Sequence, residues 1–139
     1  MTFRRFVEFA TSIPDDSVDE GSEWRVGGEG VASVIAEILR SQGRQVNPPE
    51  FEGDHGWTFV ARTQKGKYYF QVQHSGDVTV FTDDVTIPSL FGKRDSADHI
   101  ALLTQLDAAL QADQRFSNVH WCSEDEIFGA GAGTPSPTG

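Results

Sequence analysis

Residues 56–82 read GWTFVARTQKGKYYFQVQHSGDVTVFT. Aromatic and β-branched residues alternate with polar ones, and two glycine-containing breaks, Lys65-Gly66 and Ser75-Gly76, interrupt the alternation. Period-two alternation bounded by such turn residues is the signature of antiparallel hairpins. The stretch predicts strands at Trp57–Thr63, Tyr68–His74 and Val78–Thr82. With Lys65-Gly66 as a two-residue loop, Trp57 faces His74, Phe59 faces Val72 and Ala61 faces Phe70, forming one apolar face. Thr58, Val60, Arg62, Tyr69, Gln71 and Gln73 form the other, mostly polar face, so the sheet has one wet side. The third strand has two open registers. A two-residue loop at Ser75-Gly76 turns Thr79 and Phe81 to the core, and one more loop residue turns Val78 and Val80 there. Either register leaves apolar surface outside, where another element or a partner can cover it.

A helical pattern lies on each side of this meander. Val31, Val34, Ile35, Ile38 and Leu39 recur at the spacing of one buried helical stripe and predict a helix over Glu29–Gln42. Gly43 stops it, and Arg40 stands in the last turn, where the helix dipole favours a cation. Ile100, Leu103, Leu106 and Leu110, with Leu102 and Ala109 beside them, predict a second helix over Ala97–Gln114, capped by Asp95 or Ser96.

The remaining segments are shorter. Residues 2–13 fit a helix through Phe3, Phe6, Val7 and Ala10, or a strand through Arg5, Val7 and Phe9; we read a strand, ended by Pro14. Residues 14–28 are a polar loop with a short strand around Trp24–Val26, and burial is the expected fate of the lone Trp24. Pro48-Pro49 makes residues 44–55 a connector with an extended piece at Gln45–Asn47. Residues 83–95 form another connector, with an apolar centre, and Asn118–Ser123 a last strand. The tail, residues 129–139, is uncharged GAGAGTPSPTG and reads as disordered. The expectation is a single α+β domain over residues 1–128, ordered β-α-β-β-β-α-β, with two main helices on one face of an antiparallel sheet.

Composition narrows the function classes. The chain of 139 residues carries a net charge of −10. Asp15, Asp16, Asp19, Glu20 and Glu23 fall together, and Glu124, Asp125 and Glu126 are consecutive. Such a field repels phosphate backbones and attracts a basic protein. No apolar run is long enough to cross a membrane as a helix, and Met1–Ala10 lacks the apolar core of a secretory signal. The one cysteine, Cys122, excludes an internal disulfide and fits a reducing, cytoplasmic setting. It lies in an apolar strand-like run, which makes it a buried structural thiol.

The candidate chemistry is sparse. His55, His74, His99 and His120 show no spacing of a metal motif. Asp54-His55 is a carboxylate–imidazole neighbour pair, and Asp95 and His99 stand one helical turn apart. Cys122 and His120 share a strand face at a Cβ separation of roughly 6–7 Å, too far for a hydrogen-bonded dyad unless the backbone bulges. Asp83-Asp84 and Glu124–Glu126 close strands and read as strand terminators. The glycines of GGEG at residues 27–30 read as a helix entry loop rather than a phosphate cradle, because Glu29 repels an anion. No catalytic, cofactor or metal residue is assigned from the sequence.

In size, acidity and helix–three-strand–helix order the chain is similar to secretion chaperones of the bacterial type III class, although it lacks their final amphipathic helix. In size and charge it is similar to small acidic immunity proteins. No motif specific to either group is present, so both likenesses stop at architecture. The expected function is a non-enzymatic protein-binding domain for a basic or mixed-charge partner. Its candidate contact residues are Asp15, Asp16, Asp19, Glu20, Trp24, Trp57, Phe81, Glu124, Asp125 and Glu126. The alternative is a small enzyme or a small-molecule or metal-binding domain with a cleft near residues 54–57 and 83–95.

Overall fold

A computed structural model describes residues 3–87, 96–128 and 133–139. Strands are β1 (Phe6–Thr11), β2 (Val18–Glu20), β3 (Glu23–Arg25), β4 (Gln45–Val46), β5 (Glu50–Phe51), β6 (Trp57–Arg62), β7 (Lys67–Ser75), β8 (Asp77–Asp84) and β9 (Phe116–Cys122). Helices are α1 (Glu29–Ser41), α2 (Ala97–Ala112) and α3 (Glu124–Phe128), with a 3-10 turn at Gly53–His55. The main sheet runs β4-β6-β7-β8-β1-β9, with β5 also paired to β6, and β2-β3 form a separate ribbon. Every pairing is antiparallel. The expected α+β class and the β-α-β-β-β-α-β order of the main elements hold. No helix among the described residues is long and apolar enough to cross a membrane.

The N-terminal segment is a strand because both of its faces are used. Val7 and Phe9 point into the core, while Phe6 packs on Phe81 outside it, ring centroids 4.9 Å apart. The core itself lies between the sheet and the two long helices. Val31, Ile35 and Leu39 from α1 and Leu102, Leu103, Leu106 and Leu110 from α2 meet Val7, Phe59, Phe70, Val72, Val80 and Trp121 from the strands. The Trp121 indole donates to Asp107 Oδ1 at 2.8 Å, which ties β9 to α2 and satisfies a buried N–H.

The meander keeps the expected faces in a different register. Arg62 pairs with Lys67, so the first loop is Thr63–Gly66 rather than two residues, and Phe59 stands opposite Phe70 with Trp57 opposite Val72. Thr63 explains the longer loop: its Oγ1 accepts from Lys65 N at 3.0 Å and Gly66 N at 3.1 Å. The slip is an even number of residues, so no side chain changes face. Phe59 and Phe70 stack at 4.9 Å with both rings buried. In the third strand His74 pairs with Val78, which turns Val78 and Val80 to the core and Phe81 outward.

The glycine-rich entry to α1 has a tertiary reason. Asp16 accepts from Gly28 N at 2.6 Å and Gly30 N at 3.0 Å, so a carboxylate from the preceding loop caps the helix. Gly27 is needed for that approach, since a Cβ there would stand 2.5 Å from both Asp16 Oδ1 and Ser17 N. In the sequence Glu29 argues against an anion here, whereas the chain's own Asp16 carboxylate occupies the position.

Two C-terminal expectations are corrected. Glu124–Glu126 do not merely end a strand but open α3. Ser123 Oγ accepts from Glu126 N at 3.3 Å, and Ser123 N donates to Glu126 Oε1 at 2.8 Å. That reciprocal pair is a capping box, and its Ser-x-x-Glu spacing stood in the sequence. The disordered tail does not hold for residues 133–139, while residues 129–132 lie outside the described residues. Thr134 exchanges both backbone bonds with Trp121, at 2.7 and 2.8 Å, and Pro137 O accepts from Arg4 N at 2.7 Å. The tail docks because β9 would otherwise present an unpaired edge, and backbone pairing leaves no trace in side-chain pattern.

Two stability measurements check this description. Phe70→Ala empties a fully buried ring site and should lower the urea-derived unfolding free energy by about 3–5 kcal/mol. Deleting residues 133–139 removes the three backbone hydrogen bonds above and should cost about 1.5–4.5 kcal/mol in the same assay, at net values of about 0.5–1.5 kcal/mol per bond.

Candidate functional site

Gly27 and His74 form an isolated antiparallel bridge at the end of β7 that β6 does not reach. The β2-β3 ribbon springs from this point. Across from it stand β5 and the 3-10 turn, held where Phe51 pairs with Trp57 and Gln73 Nε2 donates to Asp54 O at 3.0 Å. Between ribbon and turn lies a groove of about 450 Å³, lined among others by Val18, Glu23, Trp24, Arg25, Phe51 and Asp54.

Trp24 is 58% exposed, which corrects the expectation that it folds onto the core. A two-stranded ribbon joined to the sheet by one bridge has no second layer to bury it. Phe51, 40% exposed, forms the opposite wall. The Arg25 guanidinium lies 5.5 Å from the Phe51 ring centroid, within cation–π range, and Phe51 packs on Trp57 at 5.5 Å. Phe51 and Arg25 were not singled out in the sequence. The signal for Phe51 was an aromatic two residues after Pro49, where an edge strand can resume.

The other expected contact residues separate into two groups. Asp19 and Glu20 are exposed on the ribbon beside Trp24, with Glu23 and Trp24 as the cross-strand partners of Glu20 and Asp19. Asp15 and Asp16 do not share that freedom. Asp15 Oδ1 accepts from Ser17 N and its Oδ2 from Gly76 N, both at 2.8 Å, and Asp16 caps α1. These bonds, Gly76 first, hold the Asp15 carboxyl down at about 2.

Phe81 lies on the outer face of the main sheet with Phe6 and Tyr69, away from the groove. Glu124 and Asp125 are exposed on α3, which follows β9 at the opposite sheet edge from β5. Glu126 is held by Arg4 Nε at 2.6 Å. Residues 54–57 stand by Gln73, whereas residues 83–86 pair with the Lys67 end of β7. The described part of the 83–95 connector therefore does not border the groove, and residues 88–95 lie outside the described residues.

Among the described residues, two clusters hold metal-ligand types of side chain. Asp15, Asp16 and His74 bring ligand atoms within 4.8 Å of one another, but all four carboxylate oxygens accept backbone N–H groups. Glu8, His120 and Cys122 are within the same limit on the outer sheet face. Burial first, then Glu8, raises the Cys122 thiol to about 11, so it is not an activated nucleophile. His99 is a core residue, stacked on Tyr68 at 4.8 Å with Nε2 3.1 Å from Thr82 Oγ1. Its sequence neighbour Asp95 lies outside the described residues.

No family model, no curated protein and no solved structure matches this chain.

The Arg4–Glu126 pair makes a pH prediction. Arg4 first, then Ser123 N–H, holds the Glu126 carboxyl at about 2 against an ordinary 4.5. A depressed carboxyl stabilises the fold above its unfolded pKa and loses that contribution as pH falls through its folded one. The stability difference between wild type and Glu126→Gln should therefore be full at neutral pH and shrink as pH falls from 4.5 towards 2, read by urea denaturation at each pH.

Proposed function

We propose that this chain is a non-enzymatic protein-binding domain. Its docking site is the groove between the β2-β3 ribbon and Phe51, and its partner is a basic segment in extended conformation. The observation that carries this reading is Trp24, 58% exposed among carboxylates on a ribbon held clear of the core. Exposed tryptophan costs solvation free energy in the free protein and supplies the largest interface contribution of any residue type when covered. Asp19, Glu20 and Glu23 on the ribbon and Asp54 across the groove give the surroundings a negative field. The only cation lining the groove among the described residues, Arg25, already lies over Phe51. No other described strand pairs with β2 or β3, so an open backbone edge is on offer to an extended chain.

A groove of this volume also accommodates a small molecule, which is the second reading. Its titratable lining residues, Glu23, Arg25 and Asp54, are all exposed, so the site lacks the buried convergent groups that catalysis uses.

The test titrates the protein with a panel of Lys/Arg-rich extended peptides containing one aromatic residue, and follows tryptophan fluorescence and binding kinetics. Trp24→Ala should accelerate dissociation at least ten-fold, as loss of an anchor does. Reversing Asp19, Glu20 and Glu23 to Lys should slow association and flatten its salt dependence while changing dissociation little. Asp15 and Asp16 are left intact because their carboxylates hold backbone. If no peptide binds, and a metabolite screen instead raises the melting temperature of the wild type but not of Trp24→Ala, the small-molecule reading replaces this one.

A further inference from the structure

The outer face of the β1/β9 pair carries a three-residue constellation far from the Trp24 groove in strand order. Glu8 and His120 are direct cross-strand partners, and Cys122 follows His120 on the same face. The pairing shifts register between Glu8 and Ala10, because β9 carries a bulge. Asn118 sits at φ 57 in that bulge, a left-handed conformation that asparagine tolerates better than most residues. The bulge sets the Asn118 carbonyl under its neighbour's ring, with His120 Nδ1 2.8 Å from Asn118 O.

That contact decides the imidazole's chemistry. A carbonyl oxygen only accepts, so Nδ1 carries the hydrogen and the other nitrogen presents its lone pair. His120 Nε2 faces Glu8 Oε1 at 3.5 Å, and the Cys122 thiol donates to the same oxygen at 3.7 Å. In the neutral ring, a nitrogen lone pair confronts a carboxylate, two acceptors with nothing shared between them. A cation placed among them would resolve the conflict. Tetrahedral zinc bonds of the usual lengths imply ligand–ligand separations of about 3.4 Å for N···O and about 3.6 Å for S···O. The separations present are within about 0.1 Å of both. A histidine ligand whose second nitrogen is fixed by a backbone carbonyl is the usual outer-shell arrangement of metal sites.

The surroundings form a built site. Cys122 is 1% exposed, while Glu8 and His120 remain partly open. Gly133 of the docked tail lies over the cluster: a Cβ there would stand 2.9 Å from Cys122 Sγ and 3.3 Å from His120 Cδ2. The neighbouring carboxylate, Glu126, is engaged by Arg4 and Ser123, so it is not a fourth ligand in this arrangement.

The geometry points to Glu8, His120 and Cys122 as a three-ligand site for a divalent ion of the zinc class, with its fourth position left to water or an added ligand. A thiolate and an imidazole together select zinc-like ions over calcium and magnesium, which take oxygen donors. Coordination would take the thiol proton, which leaves to solvent as the metal–sulfur bond forms. This site is independent of the groove reading above.

The experiment titrates the full chain with Co²⁺, a spectroscopic stand-in for Zn²⁺, and then displaces it with Zn²⁺. One equivalent should give a thiolate-to-cobalt charge-transfer band and intense tetrahedral ligand-field absorption, both abolished by Zn²⁺. Cys122→Ser should lose the charge-transfer band. His120→Gln and Glu8→Gln should each weaken Co²⁺ affinity at least ten-fold, while His55→Ala, outside the cluster, leaves it unchanged. Far-UV circular dichroism of each variant confirms that it is folded, and if Cys122→Ser unfolds, the His120 and Glu8 variants decide. Absence of the band at excess Co²⁺, or equal affinity in wild type and both folded His120 and Glu8 variants, overturns the site and leaves an imidazolium–carboxylate pair.

Discussion

The pairing of β1 with strands on both of its sides holds this structure together. Val7 faces Val80 of β8 on one side and Trp121 of β9 on the other, and all three are fully buried. The meander alone would end at β8 with an open edge. Because the N-terminal strand fills that edge and offers its other edge to β9, the C-terminal third of the chain joins the same sheet. Contacts so distant in sequence carry a loop-closure cost, which the burial of Phe9, Phe116 and Trp121 offsets. The same strand also brings Glu8 opposite His120, so the fold's central pairing and the metal-type cluster share one register.

The acidic character of the chain divides by location. Asp15 and Asp16 are spent on backbone N–H groups at the hairpin tip and at the start of α1, and Glu126 on Arg4 and Ser123. These carboxylates act as caps, each replacing water around orphan donors. Asp19, Glu20 and Glu23 have no such duty on the ribbon among the hydrogen bonds of the described residues, and they surround Trp24, the most exposed large aromatic among the described residues. A net charge of −10 therefore says less about binding than the position of these three residues does.

Both candidate sites grow from irregularities in the sheet. Pro48-Pro49 interrupts the edge beside β6, and after the break Phe51 resumes pairing where it can wall the groove. The bulge at Asn118 turns the His120 ring onto a backbone carbonyl and its other nitrogen towards Glu8. Regular strands would present alternating side chains at fixed spacing. Interruptions re-aim them, which is why bulges and edge breaks so often accompany function.

What the sequence determined by itself is what local periodicity encodes. The two helical stripes, the three meander strands, the inward set Phe59, Phe70 and Val72, and the buried Cys122 all follow from spacing of apolar residues. The tertiary structure alone decided the rest, because it depends on which segments meet. The Thr63 hydroxyl lengthened the first hairpin, and backbone pairing docked a tail with no side-chain signal. Trp24 stayed exposed because its ribbon found no second layer, and the Cys122–His120 spacing acquired meaning only when β1 delivered Glu8 to the same face. A one-dimensional pattern records how each segment divides between core and water. It does not record its neighbours, and every site residue here is defined by a neighbour.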